Sequence, residues 1–472
     1  MMKGDFTRDT FDAAKHFSRV LMQQGRVQVD ADWNEQTSIL LHYLHTLAKD
    51  ILGPYAGPAN AMGFDLITKD NIAKIDAMEP DPVRREALRK KVEEGDAAIG
   101  TGRYYVQGVL VENLQAILYT EQTGYLYFPE EIKLENLKNK ALLAYLDVWE
   151  RHITYVEDDH IREVALGGPD TCTRAQVVWQ VKALLRPENF DQAFDCQSLD
   201  TLLSRQLPKL RARALQEKPV TDLCVISPES RYRGAENQLY RVEVHRGGFA
   251  TDNPATSATF KWSRENGSVT FPILTLSDTT ATLENLGRDN CLGLKQGDWV
   301  EAIDDNVVMG GQSGPLAQVE SVDRDTLTVT LKWAVSHGPT YVETDSLTSH
   351  PLLRRWDHQG DPDLGGALEI NDQDNSNAGL GIGWINLEDG VQIWFSKEGG
   401  EYRTGDYWLI PARVATGDVE WPKEPGANSL PVAIEPHGPR HYYAPLFLEL
   451  GEGQPGRDCR CEINSLQCIP SS

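Results

Sequence analysis

The stretch from Arg19 to Gln36, RVLMQQGRVQVDADWNEQ, contains the signals for a turn, a short strand and the start of a helix. Gly25 is typical of a turn, and residues 26–29 alternate polar and apolar side chains as a half-buried strand does. With Asp32 as the N-cap, Glu35 falls at the third helical position, so the two side chains can form a capping box across the unpaired N–H groups. The stretch therefore predicts a turn, a strand and a capped helix near the start of the chain.

The helix predicted after Asp32 is amphipathic and about five turns long. Its apolar residues recur three or four positions apart, which places them on one face. They are Trp33, Leu40, Leu44, Leu47 and Ile51, with Leu41 and Ala48 between them. Gly53 and Pro54 end the helix, because glycine suits the cap and proline cannot continue it. The residues expected to act in assembly or docking are Asp30, Asp32, Trp33, Glu35, Leu40 and Leu44.

A polar arm precedes this stretch and carries three spaced aromatic residues, Phe6, Phe11 and Phe17. They are expected to anchor an extended segment, either on another surface such as a neighbouring subunit or on the helix of the same chain. The pattern alone does not choose between these two anchors.

Composition narrows the class of protein. The chain has 472 residues, of which 40% are hydrophobic, so several packed domains are expected rather than disorder. A formal net charge of −24 without a basic run argues against nucleic-acid binding, because gripping phosphates needs a basic footprint. No segment reaches the roughly 20 apolar residues of a membrane span, and the N-terminus does not have the pattern of a signal peptide. We therefore expect synthesis and folding in the cytoplasm.

The order of elements predicts an α+β, mainly β chain: an N-terminal docking helix, then small antiparallel barrel or sandwich modules with a short helical insert. The expected segments are 1–55 (arm, strand and helix), 56–156 (β-domain with a surface helix), 157–218 (mixed, helical), 219–345 (β-domain with a small barrel), 346–450 (second β-domain) and 451–472 (cysteine-containing tail).

Turn residues give the clearest local predictions within these segments. Asn266-Gly267 and Asp389-Gly390 each lie between two alternating runs and predict hairpins, as do residues 323–325. Residues 293–333 resemble a small five-stranded barrel. Leucines and alanines between Phe190 and Leu215 recur at helical spacing and predict one or two helices, interrupted at Pro208.

The seven cysteines are sparse and odd in number. Cys172, Cys196, Cys224 and Cys291 are far apart and are expected to be reduced thiols. Cys459, Cys461 and Cys468 form the only cluster, and a zinc site there would need a fourth ligand such as His441. The spacing is not that of a standard zinc finger, so a frayed tail with free or partly oxidised thiols is the preferred interpretation.

Two further patterns could hold metal ions. Residues Asn371 to Asn377 form an oxygen-rich run, but the EF-hand pattern fails because Asn377 replaces the required glycine and Gly383 the bidentate glutamate. An exposed polar loop is therefore expected, with a different calcium site as the alternative. His42 and His45 share a helix flank without the glutamate of a zinc-protease motif, so surface histidines are expected.

We identify no catalytic or cofactor-binding residue. The chain contains no nucleophile elbow, no phosphate loop and no dinucleotide fingerprint. Four tryptophans could stack on sugars, although strand alternation favours a core position for most of them. They are Trp356, Trp384, Trp394 and Trp408. The alternative function is accordingly a carbohydrate-binding adhesin or a polysaccharide-degrading module.

Several blocks resemble an uncharacterised family encoded with phage-tail-like contractile injection systems. The first runs from residue 3 to 36 and includes GRVQVDADWNEQ. The others are YLDVWERHIT, IREVALGGPDTCTRAQVVWQVK, LYRVEVHRGG, ATFKWSRENGSV, GVQIWFS and GDYWLIPAR. They span about residues 3–450, which leaves the cysteine-containing tail outside.

The resemblance implies a structural component of a baseplate or its attached fibres, acting by symmetric assembly rather than catalysis. The implied partners are other baseplate, spike, sheath and fibre proteins, together with further copies of the chain in a symmetric ring. It implies assembly in the bacterial cytoplasm into a particle that is released by lysis or docked at a membrane. The family supplies no catalytic residues to carry over.

Overall fold

The computed structural model of the chain describes residues 2–138, 140–190, 193–214, 232–251, 253, 255–287, 289, 292–334, 349–379, 381–398, 400–425, 429–451 and 456–464. Short strands dominate, and the few helices are peripheral, so the expected α+β, mainly β class is confirmed. The α-helices of the described residues are α1 (Asp30–Leu52), α2 (Ile75–Met78), α3 (Pro82–Glu94), α4 (Leu134–Leu137), α5 (Ser198–Leu203), α6 (Asp305–Met309) and α7 (Asn375–Ala378).

Two sheets made from both ends of the chain form what we call the outer sandwich. In spatial order, one sheet contains β25 (Glu462–Ile463), β1 (Tyr55–Pro58), β4 (Gly102–Val106) and β5 (Val109–Asn113). The other contains β24 (Arg457–Asp458), β23 (His441–Glu449), β7 (Leu142–Ile153) and β8 (Arg174–Leu185). Tyr104 and Val106 meet Leu146 and Val148 in the core between them. A small sheet of β2 (Leu66–Ile67), β3 (Ala98–Ile99) and β6 (Ile117–Leu118) packs beneath α3.

A second pair of sheets forms the inner sandwich. The larger sheet contains β18 (Leu368–Glu369), β11 (Thr259–Ser263), β10 (Gln238–Arg246), β21 (Tyr407–Arg413) and β22 (Asp418–Val419). The smaller contains β19 (Ile385–Asn386), β20 (Val391–Ser396) and β9 (Lys209–Ala214). Tyr240, Val242 and Phe260 of the first sheet pack against Ile393 and Phe395 of the second.

The third unit is a closed antiparallel barrel, with strands in the order β12 (Thr270–Ser277), β13 (Thr280–Leu283), β16 (Thr328–Trp333), β15 (Leu316–Asp323), β14 (Trp299–Ile303) and β17 (Leu352–Trp356). Inward-facing side chains such as Val300, Val319 and Leu331 fill its interior. The expected small barrel is therefore present, but it has six strands instead of five, and only β14, β15 and β16 come from residues 293–333. The other three, β12, β13 and β17, come from before and after that range.

These three units are nested in the sequence. The barrel is inserted between strands of the inner sandwich, and the inner sandwich between strands of the outer one. Strands from segments 56–156, 157–218 and 346–450 consequently share one sheet, β24-β23-β7-β8. Consecutive β-modules do not describe this arrangement, since periodicity along the chain carries no information about which distant strands pair.

The expected turns form, but one of them connects different sheets. Asp389 and Gly390 adopt positive φ and join β19 to its partner β20, as predicted. Residues 323–325 likewise join β15 to β16. Asn266 and Gly267 also adopt positive φ, yet β11 before them stays in the inner sandwich while β12 after them enters the barrel. The prediction of a paired hairpin there was wrong, because pairing depends on strand partners beyond the turn.

Two other local predictions were wrong. Residues 26–29 form no strand in the structure and lie exposed ahead of α1. Between Phe190 and Leu215, the described residues form only the short helix α5 and then β9, which pairs with β20 along its length. Residues 209–214 form a strand in spite of their helical spacing, because β9 completes a sheet whose apolar face covers the core of the inner sandwich. Leu215 lies outside the described residues.

The cysteine predictions also change. Cys196 and Cys459 form a disulfide, which fastens the C-terminal segment beside α5. This excludes Cys459 as a zinc ligand and shows that its segment is held rather than frayed. β24 and β25 pair with β23 and β1, and the buried Arg460 guanidinium bonds to Asp458 and Gly63. Cys172 and Cys461 are free and exposed; Cys224, Cys291 and Cys468 lie outside the described residues.

We predict that replacing both Cys196 and Cys459 by serine lowers the free energy of unfolding by about 2–4 kcal/mol. The C-terminal segment should become sensitive to limited proteolysis, because β24 and β25 are only two residues long. Chemical denaturation and protease mapping measure these two effects. Cys172→Ser removes an exposed free thiol and serves as the control. Equal stability and equal protease resistance of the double variant would contradict the prediction.

Candidate assembly surface

The apolar face of α1 points into solvent. Trp33, Leu40 and Ile51 are 63%, 58% and 69% exposed, and Leu44 and Leu47 are similarly open. Ala31 and Ile39, on the opposite side of the helix, are buried against the rest of the chain. The helix predicted from the sequence is confirmed, but its apolar stripe does not pack on its own chain. An unpaired apolar stripe of this length is characteristic of an interaction surface.

The start of α1 differs from the predicted capping box. Val29 occupies the N-cap position, and its N–H donates to Asp32 Oδ2 at 3.3 Å. Asp30 accepts from the backbone N–H and hydroxyl of Thr7, at 2.9 and 2.6 Å. Glu35 accepts from the Thr10 hydroxyl at 2.6 Å. The identification of Asp32 as N-cap with Glu35 as its partner was therefore wrong, since Asp30 and Glu35 hold the N-terminal arm against the helix.

The three aromatic residues of the arm have three different environments. Phe6 packs on the body of the same chain beside Leu239 and Leu409. The Phe11 ring lies 5.7 Å from the ring of His42 on α1. Phe17 is 54% exposed. Two residues thus anchor the arm within its own chain, and the third is free to contact another surface.

A buried ionic cluster receives the first residues of the arm. Lys3 Nζ lies 2.9 Å from Glu243 Oε1, and Glu243 Oε2 accepts from Arg241 Nε at 2.6 Å. Lys261 Nζ donates to both oxygens of Glu301 at 2.7 Å. Burial lowers the pKa of Lys3 to about 8 despite the opposing effect of Glu243. The pKa of Glu243 is well below its usual value, because its cations outweigh its burial.

The turn at Asn266 completes this anchorage. Its side-chain amide donates to the carbonyl oxygens of Met2 and Gly4 at 2.8 and 2.9 Å, and its Oδ1 accepts from Arg241. Since Arg413 also donates to Thr7 O, residues 2–7 are bonded to the inner sandwich along their length. The Asn266 turn, which predicted a hairpin, therefore binds the N-terminal residues of the chain instead.

The part of the arm that leads into α1, residues 13–29, forms an exposed basic loop. Lys15, Arg19 and Arg26 give it a charge of +3 with no acidic residue, in a chain of net charge −24. None of the three forms an ion pair with the described residues, and all are exposed. The loop also exposes five large apolar side chains, Phe17, Leu21, Met22, Val27 and Val29. It is therefore suited to contact an acidic surface that also has apolar positions.

Close backbone contact positions α1 on the body. Gly108, in the turn between β4 and β5, lies directly beneath the backbone of His45 and has a φ of +85°. A Cβ atom there would overlap the His45 carbonyl oxygen. Glycine is therefore required at this position both for its backbone conformation and for the approach of the helix.

We predict that Gly108→Ala loosens α1 from the body without unfolding the chain. The backbone amides of α1 should exchange hydrogen faster, as mass spectrometry of residues 30–52 can measure. Gly167→Ala is a matched control, because Gly167 has a φ of +88° and no atom near its Cβ position. Both substitutions carry a backbone strain of roughly 1 kcal/mol. Unchanged α1 exchange in Gly108→Ala would show that this contact does not position the helix.

Four buried or half-buried histidines predict sensitivity to acid. Burial lowers the pKa of His152 and of His245 to about 3, and of His358 and of His437 to about 4. The unfolded chain, with a histidine pKa near 6.5, therefore binds more protons below that pH. Stability should fall from pH 6.5 downward, by at most roughly 1.4 kcal/mol per pH unit and histidine. The free energy of unfolding at pH 7 and pH 5 tests this; His160→Gln, an exposed position, should leave the difference unchanged. Equal stability at both pH values would contradict it.

One polar cluster resembles a catalytic arrangement. Asp147 Oδ1 lies 2.6 Å from His441 Nδ1, and Asp147 Oδ2 accepts from Lys182 Nζ at 2.7 Å. The Trp149 ring stacks on His441. Although burial opposes it, bonding to His441 holds the pKa of Asp147 below its usual value. The contacts join β7, β8 and β23 across one sheet, which accounts for the cluster as a tie between strands.

The other sequence candidates have local partners. The Asn375 side chain accepts from Ser396 and Arg211, and that of Asn371 accepts from Gln373. The described residues contain no group of three or more histidine, cysteine or acidic side chains placed to hold a metal ion. Two open concavities of about 290 Å³ lie along α3 and share Lys91, Leu118 and Glu121.

The tryptophan platform does not form. Trp356, Trp394 and Trp408 are buried, as strand alternation predicted, and the guanidinium of Arg213 lies 3.8 Å from the centre of the Trp384 ring. This removes the observation on which the carbohydrate-binding alternative depended.

The described residues thus form a mainly β protein of two nested sandwiches and a barrel, with one apolar helix facing outward. The chain belongs to DUF6519, a family of unknown function, whose model matches residues 2–205 and 188–470. No curated protein and no solved structure matches the chain. Across the described residues, no helix combines the length and apolar content that crossing a membrane requires.

Proposed function

We propose that this chain is a structural component of a phage-tail-like contractile injection system, at the baseplate or its attached fibres. Its role is symmetric assembly rather than catalysis, and its partners are other baseplate, spike, sheath or fibre proteins and further copies of itself. It is assembled in the bacterial cytoplasm and becomes part of a particle that is released by lysis or docked at a membrane. The sequence resemblance supplies this setting.

The observation that supports an assembly role is the concentration of exposed apolar side chains near the N-terminus. Among the described residues, 12 of the 25 exposed large apolar side chains lie between Phe17 and Ile51. This stretch is less than a tenth of the chain, so the exposure is local. Scattered surface apolar residues are ordinary, whereas a continuous patch favours an interface.

Within this patch, the basic loop is the proposed contact with other subunits of the particle. Its three unpaired cations favour an acidic partner surface, and its apolar side chains supply the area that becomes buried there. Residues 2–11 have another role, because they are bonded into the body and Lys3 neutralises a buried glutamate. Removing the whole N-terminus would therefore destabilise the body as well as the contact.

We predict that the triple variant Phe17→Ser, Leu21→Ser, Met22→Ser folds normally but no longer enters particles. The side chains removed are exposed, so the stability of the body should change by less than about 0.5 kcal/mol. The test is expression in the native host and sedimentation of particles, followed by quantification of the chain relative to sheath and tube.

The matched control is Val83→Ser, Leu114→Ser, Val164→Ser, which removes three exposed apolar side chains elsewhere. The control should sediment with particles as the unaltered chain does. Incorporation of the loop variant at the normal ratio would exclude the loop as the contact. Absence of the unaltered chain from purified particles would overturn the proposed function itself.

A further inference from the structure

We infer that the exposed stripe of α1 binds further copies of this same chain, in a parallel bundle of at least three helices. We call the stripe the seam; it consists of Trp33, Thr37, Leu40, Leu44, Leu47 and Ile51. The inference deepens the proposed function, on which it rests for its setting, by naming the partner of the helix.

The seam has the spacing of a coiled coil. Its positions follow one another in alternating steps of four and three residues from Trp33 to Ile51. Such a repeat keeps one line of side chains facing a partner helix as the helices wind around each other. All six members are exposed in the single chain, so the repeat has no partner there.

The orientation of α1 permits a closed bundle. At about 100° per residue, the seam centres on the side of the helix nearly opposite Ala31, Ile39 and His45, which turn toward the body. Several copies of α1 can therefore meet along a common axis while the rest of each chain lies outside the bundle. If the seam lay on the flank of the helix, the bodies would obstruct such a bundle.

Charge favours a second copy as the occupant. Chains that each carry −24 repel one another, so copies can meet closely only where the surface is neutral. The seam contains no charged residue. Between Trp33 and Ile51, the positions beside it hold one charge, at Asp50, and are Asn34, Gln36, Leu41, Tyr43, Ala48 and Asp50. Asp30, one step of the repeat before Trp33, is bonded to Thr7 of the same chain. A basic partner would be expected to face acidic flanks here, and an acidic partner basic ones.

The width of the apolar stripe sets the number of copies. Leu41 and Tyr43, on either side of the seam, are 39% and 53% exposed. In a pair of helices, these flanking side chains would stay in water, whereas in a bundle of three or more each helix contacts two neighbours and covers both. A stable contact buries roughly 800 Å² on each partner, so an arrangement that also covers the flanking side chains is favoured over one that covers the seam alone. Thr37 gives the bundle a polar layer, which aligns with itself only when the helices are parallel and in register.

Sedimentation velocity of the purified full-length chain tests the inference without any other particle protein. We expect a species of at least three times the chain mass of 52.7 kDa. The triple variant Leu40→Gln, Leu44→Gln, Leu47→Gln should be monomeric, and the thermal unfolding transition of the chain should be unchanged. The control is the double variant Thr46→Gln, Lys49→Gln. It alters exposed positions of α1 outside the seam and should assemble normally. A monomer or dimer of the unaltered chain, or assembly that survives the seam substitutions, would overturn the inference.

Cross-linking tests the parallel register. In a chain with Cys172, Cys224, Cys291, Cys461 and Cys468 replaced by serine, Thr37→Cys should form disulfide-linked dimers on mild oxidation, whereas Thr46→Cys should not. Failure of Thr37→Cys to cross-link would overturn the parallel arrangement. These results are independent of incorporation into particles: a monomeric chain that still sediments with sheath and tube overturns this inference alone.

Discussion

The buried ionic cluster between the inner sandwich and the barrel is the interaction on which the arrangement of the chain depends. Lys261 of β11 donates to Glu301 of β14, and Trp356 of β17 donates to the same carboxylate at 2.9 Å. Glu243 of β10 is shared by Lys3 and Arg241. Charges buried at this depth are tolerated only as a complete set, since removing one partner leaves another without compensation. The barrel, the inner sandwich and the terminus of the arm are consequently held together as one unit.

This coupling explains why an apolar helix stays in water. The arm is fastened at its first residues by Lys3 and along its length to Asp30 and Glu35, so the start of α1 cannot move far from the inner sandwich. Gly108 fixes the middle of the same helix against the outer sandwich. With both contacts made on one side, the leucines on the other side have no surface of their own chain to cover. The exposed stripe follows from how the helix is held.

The sequence contained the elements but little of their arrangement. The presence of α1, its end at Gly53, the turn at Asp389 and a small barrel all follow from local rules of spacing and turn chemistry. The direction in which Trp33 and Leu40 face does not follow from these rules. The spacing of apolar residues shows which of them share one side of a helix, but not what lies against that side. The mixed region near Leu210 was misassigned for a related reason, as its strand exists only through pairing with β20. The disulfide joins two cysteines that are 263 residues apart, and rules of local spacing do not relate positions so distant in the sequence.

The nested order of the three units has a consequence for synthesis on the ribosome. The barrel closes within residues 270–356, whereas the sheet of the outer sandwich that begins at β1 gains its edge strand only from residues 462 and 463. Contacts between positions so far apart form late, because a long loop must close before they can. The innermost unit can therefore fold before residues 462 and 463 are made, whereas the β1 sheet cannot be completed until they are present. Completion of the β1 sheet, next to α1, is therefore among the last steps as the described residues are made.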